Sequence, residues 1–179
     1  MSEIKEEIIS WVKTIVFAVI VALFITNFVI VNASVPSGSM ENMIMTGDRL
    51  VAFRLSYLLE PPKRYDVVVF KYPDDPEQKL LYVKRVIGLP GETVTIRDGK
   101  VYIDGSSVPL EDSFTKETPA AEMEMTFNVP DGHYFMLGDN RNISSDSRYW
   151  ANKYVDGKKI LGRVIFRYYP SATTFPRFK

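Results

Sequence analysis

The sequence contains no cysteine and only one histidine, His133. Without cysteine, the chain can form no disulfide, no cysteine-based zinc site and no thiol nucleophile. A histidine-rich metal site is excluded as well, and a serine–histidine pair would have to use His133. Neither sign of charge is in excess, because 22 Lys and Arg balance 22 Asp and Glu. The composition therefore gives no indication of nucleic-acid binding.

Charge is also missing from one long apolar stretch, residues 14–31. In a helix these residues extend about 27 Å, enough to cross the hydrocarbon core of a membrane. Two lysines precede the stretch, and the next Lys or Arg after it is Arg49. The positive-inside rule therefore predicts that residues 1–13 are cytoplasmic and that residues 32–179 form an extracytoplasmic domain at the cell membrane.

Two other interpretations of the apolar stretch are possible. A buried helix of a soluble protein would normally have one polar face, and this stretch has none. A cleavable signal peptide is the stronger alternative, because Val31-Asn32-Ala33 loosely resembles a cleavage site with small residues. Its apolar region would, however, be long for a signal peptide, which favours a retained anchor.

After the apolar stretch, the pattern is one of short apolar segments separated by turns, typical of strands. Asp98-Gly99 joins two of them and is a strong hairpin signal. The segment 106–128 has a weaker pattern, so we expect a small inserted lobe over about 93–128. These features predict a mostly β protein with an antiparallel, barrel-like or sandwich domain. The predicted strands are 49–53, 66–72, 80–87, 93–97, 101–103, 133–137 and 162–169.

A candidate nucleophile lies just after the apolar stretch, in Pro36-Ser37-Gly38-Ser39-Met40. Pro36 fixes its own φ and favours an extended residue before it, and glycine allows a tight turn. The segment therefore predicts a turn that exposes the Ser39 hydroxyl. Ser-Gly-Ser also occurs in many ordinary loops, so these residues alone do not establish catalysis.

A serine hydroxyl needs a base to become a nucleophile, and two residues could supply one. His133 follows Asp131-Gly132 at the start of a strand, where a turn or packing role is more common. Lys84 lies in an otherwise apolar strand, on the same face as Tyr82 and Val86. Burial there would lower its pKa and allow a neutral lysine to act as general base. The alternative is a lysine that extends from an edge strand to solvent.

A third segment, residues 138–148, is dense in polar side chains and follows an apolar strand. It offers Ser144, whose hydroxyl could hold a lysine amine, and the pair Asp146 and Arg148, which could brace the loop.

The order of these motifs resembles bacterial type I signal peptidase, a membrane-bound Ser-Lys protease. The shared motifs are Pro-Ser-Gly-Ser-Met after one anchor, Asp-Val-Val-Val-Phe, Tyr-Val-Lys-Arg-Val-Ile-Gly-Leu-Pro-Gly-Glu, and Gly-Asp-Asn-Arg-x-x-Ser-x-Asp-Ser-Arg. The resemblance extends from about residue 11 to the end. It implies a mostly antiparallel β fold with an inserted lobe. It departs from the family at Asn42-Met43, where proline and a small polar residue are common, and at Ala151, where glycine is common.

The resemblance also implies roles for individual residues. Ser39 matches the nucleophile and Lys84 the general base, and Ser37 with the Ser39 amide matches the oxyanion hole. Ser144 matches the serine that orients the lysine, and Asp146 and Arg148 match a supporting pair. We expect no cofactor and no metal. The expected partners are the signal peptides of exported precursors and membrane lipid, with no prediction of oligomeric state.

Specificity is predicted from the strand geometry together with the resemblance. The segments 33–36 and 80–84 have edges that could pair with an extended substrate, so that alternate side chains enter pockets. We expect five residues to narrow those pockets, so that small residues are accepted one and three positions before the cut, as in Ala-x-Ala. They are Val35, Met40, Ile44, Tyr82 and Val83.

Two other functions remain as alternatives at this point. A Ser-Lys autoprotease of the repressor-cleaving type would carry a DNA-binding domain rather than an anchor. An anchored, non-enzymatic β domain that binds a partner at the cell surface would not cleave a precursor.

Overall fold

The structure, a computed structural model, describes residues 2–121 and 123–175. Met1 and residues 176–179 of the predicted segments lie outside the described residues. One helix, α1 (Ser2–Phe24), continues into a π-helical turn (Ile25–Val29). The span Ile4–Val29 is long and apolar enough to cross a membrane, and none of its most apolar part is buried in the protein.

The helix differs from the predicted apolar stretch at both ends. It begins before residue 14 and includes the charged N-terminal residues, and it stops two residues before Val31. Ile30 and Val31 instead begin β1 (Ile30–Ser34), where they are opposite Phe53 and Ala52 of β2 (Arg49–Phe53). Pairing with β2 therefore ends the helix, although the apolar pattern itself continues.

Nine strands follow β1 and β2 in the described part of the chain. They are β3 (Val67–Lys71), β4 (Leu81–Gly88), β5 (Thr93–Arg97), β6 (Lys100–Ile103), β7 (Met125–Asn128), β8 (His133–Leu137), β9 (Val155–Asp156), β10 (Ile160–Tyr169) and β11 (Thr173–Thr174). The strands form two antiparallel sheets. The larger has the order β1-β2-β10-β3-β4-β8-β9, with β11 paired to β10, and the smaller has the order β6-β5-β7. The predicted fold class, mostly antiparallel β with one N-terminal apolar helix, is confirmed.

The core consists of three apolar clusters, which follow from the alternation along the strands. One cluster holds Val31 and Ala33 of β1 together with Met40 and Ile44 of the following loop. A second lies where the small sheet packs on Phe135 and Leu137 of β8, and a third surrounds Phe70 and Trp150. The loop after β1 is therefore fixed to the larger sheet by its own buried side chains.

The pairing of β4 with β8 determines where the polar loop begins. Arg85 of β4 is opposite Leu137, the last residue of β8. In an antiparallel pair the next positions are Lys84 and Gly138, so β8 ends at the level of the lysine. Over Leu81–Lys84, β4 pairs only with β3 among the described residues, which leaves its other edge open.

Candidate active site

The candidate nucleophile lies on a single 3-10 turn, Gly38–Met40, which follows an extended Ser37. The Glu41 amide closes the turn by donating to the Gly38 carbonyl oxygen at 3.1 Å. Met40 is buried in the core and holds the turn against β1 and β2, while Ser39 remains half-buried beside it. Local sequence therefore builds the turn, and one apolar anchor fixes its position.

Lys84 reaches this turn from β4. Its Nζ lies 2.6 Å from Ser39 Oγ, and only 3% of the residue is exposed. Burial lowers the pKa of Lys84 from 10.5 to about 8, although the carboxylates of Asp146 and Asp139 act in the opposite direction. An amine with this pKa is neutral in a sizeable fraction near neutral pH and can accept a hydroxyl proton over this distance.

Aromatic rings form one wall around the amine. The Tyr82 ring centroid lies 5.6 Å from Lys84 Nζ, and Tyr82 stacks on Tyr72 with 4.3 Å between ring centroids. Trp150 packs against both tyrosines. Tyr82, backed by these rings, covers the lysine on that side, and burial of the amine is the largest cause of its lowered pKa.

Ser37 contributes a second hydroxyl to the turn. Its Oγ lies 3.4 Å from Ser39 Oγ, and the residue is exposed at the mouth of the site. A donor beside the nucleophile can face the oxygen of a carbonyl that Ser39 attacks.

Gly138 brings the polar loop into contact with the turn. A Cβ at this position would collide with Ser144 Oγ and with the Ser39 carbonyl oxygen, so only glycine allows this approach. Ser144 is buried close to Gly138 and the Ser39 carbonyl, but its Oγ has no hydrogen-bond partner among the described residues. The structure therefore places Ser144 next to the turn without the bond to Lys84 that the resemblance implies.

Asp146 and Arg148 form a buried, bidentate ion pair behind the site. Arg148 Nε donates to Asp146 Oδ1 at 2.9 Å, and Nη2 donates to Oδ2 at 3.0 Å. Asp146 Oδ2 also accepts from the Gly138 amide at 3.1 Å, and Arg148 Nη2 donates to the Arg141 carbonyl at 2.6 Å. The pair therefore holds the beginning and the middle of the loop.

Sequence reasoning missed a second buried pair, Arg85 and Asp139. Arg85 donates to the Asp139 carboxylate through Nε at 2.8 Å and Nη2 at 2.6 Å, and both side chains are fully buried. The guanidinium also lies over the Phe114 ring, 4.1 Å from its centroid, which ties the inserted lobe to the site. An arginine within an apolar strand was a signal for this pair, but the strand pattern did not identify its partner.

An open cleft of about 320 Å³ runs beside Ser39 and Lys84, between the turn and the open edge of β4. Of the five predicted pocket residues, Val35, Met40, Tyr82 and Val83 line it, but Ile44 does not. Ile44 is completely buried in the core, in the apolar cluster that also holds Met40 and Leu50. The cleft is also lined by Ser34, Leu81, Ile143 and Ser145.

His133 lies at the other end of β8. Its Nδ1 contacts the Asp131 carbonyl oxygen at 2.9 Å. Five residue steps of extended strand, roughly 17 Å, separate it from Gly138 beside Ser39. Within residues 2–121 and 123–175, no group of His, Asp and Glu has an arrangement that could hold a metal ion.

Comparison with known proteins adds an independent observation. The family model for signal peptidase, peptidase S26, matches residues 8–169. A protein of Synechocystis sp. named probable signal peptidase I-2 is 41% identical over 88% of this chain and 72% of its own. A signal peptidase I of Bacillus licheniformis is 36% identical over 93% of this chain and 91% of its own. A crystal structure of a signal peptidase I from Enterococcus faecalis V583 is 33% identical, with a TM-score of 0.47, over 58% of this chain and 97% of that one.

Proposed function

The chain belongs to the signal peptidase family, peptidase S26, and we propose that Ser39 and Lys84 are its nucleophile and general base. Family membership confirms the resemblance seen in the motifs and makes the chain a serine endopeptidase with signal peptidase I function. It also argues against a repressor-type autoprotease. The apolar helix and the relatives together indicate membrane association.

The observation that carries the proposal is the 2.6 Å distance between Lys84 Nζ and Ser39 Oγ, at a lysine that is almost fully buried. With a pKa of about 8, roughly one such amine in ten is neutral at pH 7. At the ordinary value of 10.5 the fraction would be about one in three thousand. Burial therefore makes Lys84 a usable base at a distance where it can accept the Ser39 proton.

The proposed reaction uses the amine twice. Neutral Lys84 takes the Ser39 proton as Oγ attacks the scissile carbonyl, and the oxyanion accepts from the Ser39 amide and Ser37 Oγ. The ammonium then returns the proton to the leaving amine as the peptide bond breaks. Lys84 next takes a proton from water, which attacks the acyl-enzyme, and the released serine regains its proton from the lysine.

We further propose that the substrate lies extended in the cleft, between Ser34-Val35 and Leu81–Val83. Both segments border the cleft, and the second has an unpaired edge within the described part of the sheet. A strand in that position would send alternate side chains against Met40 and Tyr82. The cleft is small and bordered by buried apolar residues, which favours small side chains at positions −1 and −3.

A retained anchor with an outer catalytic domain is also part of the proposal. Val31 and Ala33 are buried core residues of β1, so a cut near Ala33 would remove part of that strand from the sheet. Ser39 follows the helix end at Val29 by ten residues, at most about 35 Å of chain. Enzyme and precursor would then meet at one membrane surface, which raises their effective concentration.

The test is cleavage of a precursor by the purified full chain in detergent or lipid. Wild type should release the mature protein, and Ser39→Ala should be inactive while it remains folded. Ser106→Ala, in the inserted lobe, is a matched serine control and should cleave like wild type. Near wild-type turnover by Ser39→Ala would refute the assignment, and a wild type that leaves every precursor intact would favour a non-enzymatic domain.

A further inference from the structure

Asn140 makes two direct contacts with the nucleophile turn. Its side-chain Nδ2 donates to the Gly38 carbonyl oxygen at 3.1 Å, and its backbone amide donates to the Ser39 carbonyl oxygen at 3.1 Å. Only 4% of the residue is exposed, so water does not compete for these bonds. Because a carbonyl oxygen can only accept, the amide nitrogen rather than the oxygen must face Gly38.

The bond to Gly38 bears on catalysis through the planarity of the peptide group. The Gly38 C=O and the Ser39 N–H are the two ends of one peptide unit, which rotates as a plane. The Glu41 amide and Asn140 Nδ2 both hold this oxygen, so together they fix the direction in which the Ser39 N–H points, and that N–H is the proposed oxyanion donor. A bond accepted at the oxygen also polarises the unit and strengthens the N–H as a donor.

Other bonds of Asn140 have a different function. Its backbone carbonyl oxygen accepts hydrogen bonds from the Ser144 amide at 3.0 Å and from the Ile143 amide at 3.3 Å, which shapes the loop. These bonds, and the one from its backbone amide to Ser39, do not involve the side chain. A change of the side chain alone therefore leaves the backbone bonds of the loop available. The Gly38 oxygen then keeps the bond from the Glu41 amide and loses the bond from Asn140 Nδ2, which joins it to the polar loop.

We propose that Asn140 is a positioning residue that orients the Gly38–Ser39 peptide and so prepares the oxyanion hole. This inference rests on the proposed function of Ser39. An oxyanion donor acts chiefly in the transition state, so loss of its orientation lowers kcat and leaves KM nearly unchanged. Loss of this orientation also leaves the ionisation of Lys84 unchanged, because the lysine reaches Ser39 from β4.

The experiment compares Asn140→Ala and Asn140→Asp with Asn142→Ala, using precursor cleavage by the full chain across pH. Asn142 is the matched control, because it is exposed in the same loop and its Oδ1 accepts from the Ala120 amide at 2.9 Å, away from the turn. Asn140→Asp keeps the shape of the side chain but replaces the donor with a carboxylate that only accepts.

Loss of one hydrogen bond predicts about a tenfold lower kcat for Asn140→Ala, less than the roughly 10²–10³ typical of losing an oxyanion donor itself. Asn140→Asp should be no more active than Asn140→Ala. KM and the ionisation in the pH profile should match wild type in Asn140→Ala, which adds no charge, and Asn142→Ala should match wild type throughout.

Wild-type kcat in Asn140→Ala would overturn the inference, as would a fall in kcat accompanied by a raised KM and a shifted ionisation. Failure of both Asn140 variants to fold would assign the residue to stability and overturn it equally. Ser39→Ala in the same assay distinguishes a failure of the proposed function from a failure of the role assigned to Asn140. An active Ser39→Ala refutes the proposed function, whereas an inactive Ser39→Ala beside a fully active Asn140→Ala refutes only the role of Asn140.

Discussion

Replacing Lys84 with methionine should stabilise the protein while it abolishes activity. The lysine is 3% exposed, and burial lowers its pKa from 10.5 to about 8. Below pH 8 the folded protein must therefore either hold a poorly solvated ammonium or release its proton. Methionine has a similar length and carries no charge, so Lys84→Met removes this cost.

The size and sign of the effect follow from linkage. Because the folded pKa is lower than the unfolded one, the unfolded chain binds the extra proton between pH 8 and 10.5, and stability rises with pH there. The difference between the ordinary pKa of 10.5 and the folded value of about 8 is worth roughly 3 kcal/mol, fully present as a penalty below pH 8. From pH 7 to pH 10, wild type should therefore gain about 2–3 kcal/mol relative to Lys84→Met.

The assay is urea unfolding of the full chain in detergent at pH 7, 8, 9 and 10, followed by tryptophan fluorescence. Trp150 is buried in the core and reports on unfolding of the β domain. The difference in the free energy of unfolding between the two proteins removes the contribution of tyrosines and carboxylates, which titrate in both. Lys79→Met, at an exposed lysine, controls for the loss of one positive charge. A difference between wild type and Lys84→Met that stays constant from pH 7 to pH 10 would refute the reasoning.

Three further predictions concern the site and its specificity. Ser37→Ala should lower kcat by roughly 10²–10³-fold, and Ser37→Thr, which keeps the hydroxyl, should retain much more activity. Equal cleavage rates for these two variants would remove Ser37 from the oxyanion hole. Gly138→Ala should lose most of its activity in precursor cleavage, because the added Cβ would collide with Ser144 Oγ and the Ser39 carbonyl oxygen. Cleavage at the wild-type rate would show that the loop need not contact the turn. In precursors varied at the three positions before the cut, rapid cleavage should require small residues at −1 and −3. Tolerance of Phe or Leu at −1, with selection at −2 instead, would contradict the extended binding geometry.

Sequence patterns predicted the strands best where alternation and turn signals agree. The bounds 49–53, 93–97 and 133–137 are those of β2, β5 and β8. The strand β1 was missed, because apolar residues suit both a membrane helix and a buried strand. Its pairing with β2 determines where the helix ends, and a linear pattern carries no information about that pairing.

The site shows a similar division between local and long-range features. Alternation placed Lys84 and Tyr82 on one face, and the ring lies 5.6 Å from the amine. The strand pattern made Lys84 a candidate base for Ser39, and the family resemblance favoured it over His133. The distance between the two side chains could not be predicted, because tertiary pairing brings the two segments together. Asn140 gave no signal of its own, since a polar loop offers many amides and only the folded loop selects Gly38 as the partner.

The pH dependence of kcat/KM in the full chain tests the central claim most directly, because it reports the ionisation of the base in the free enzyme. The account predicts activity that rises with pH through a single ionisation near 8, an inactive Lys84→Arg, whose guanidinium stays protonated, and an active His133→Ala. An active Lys84→Arg beside an inactive His133→Ala would contradict it.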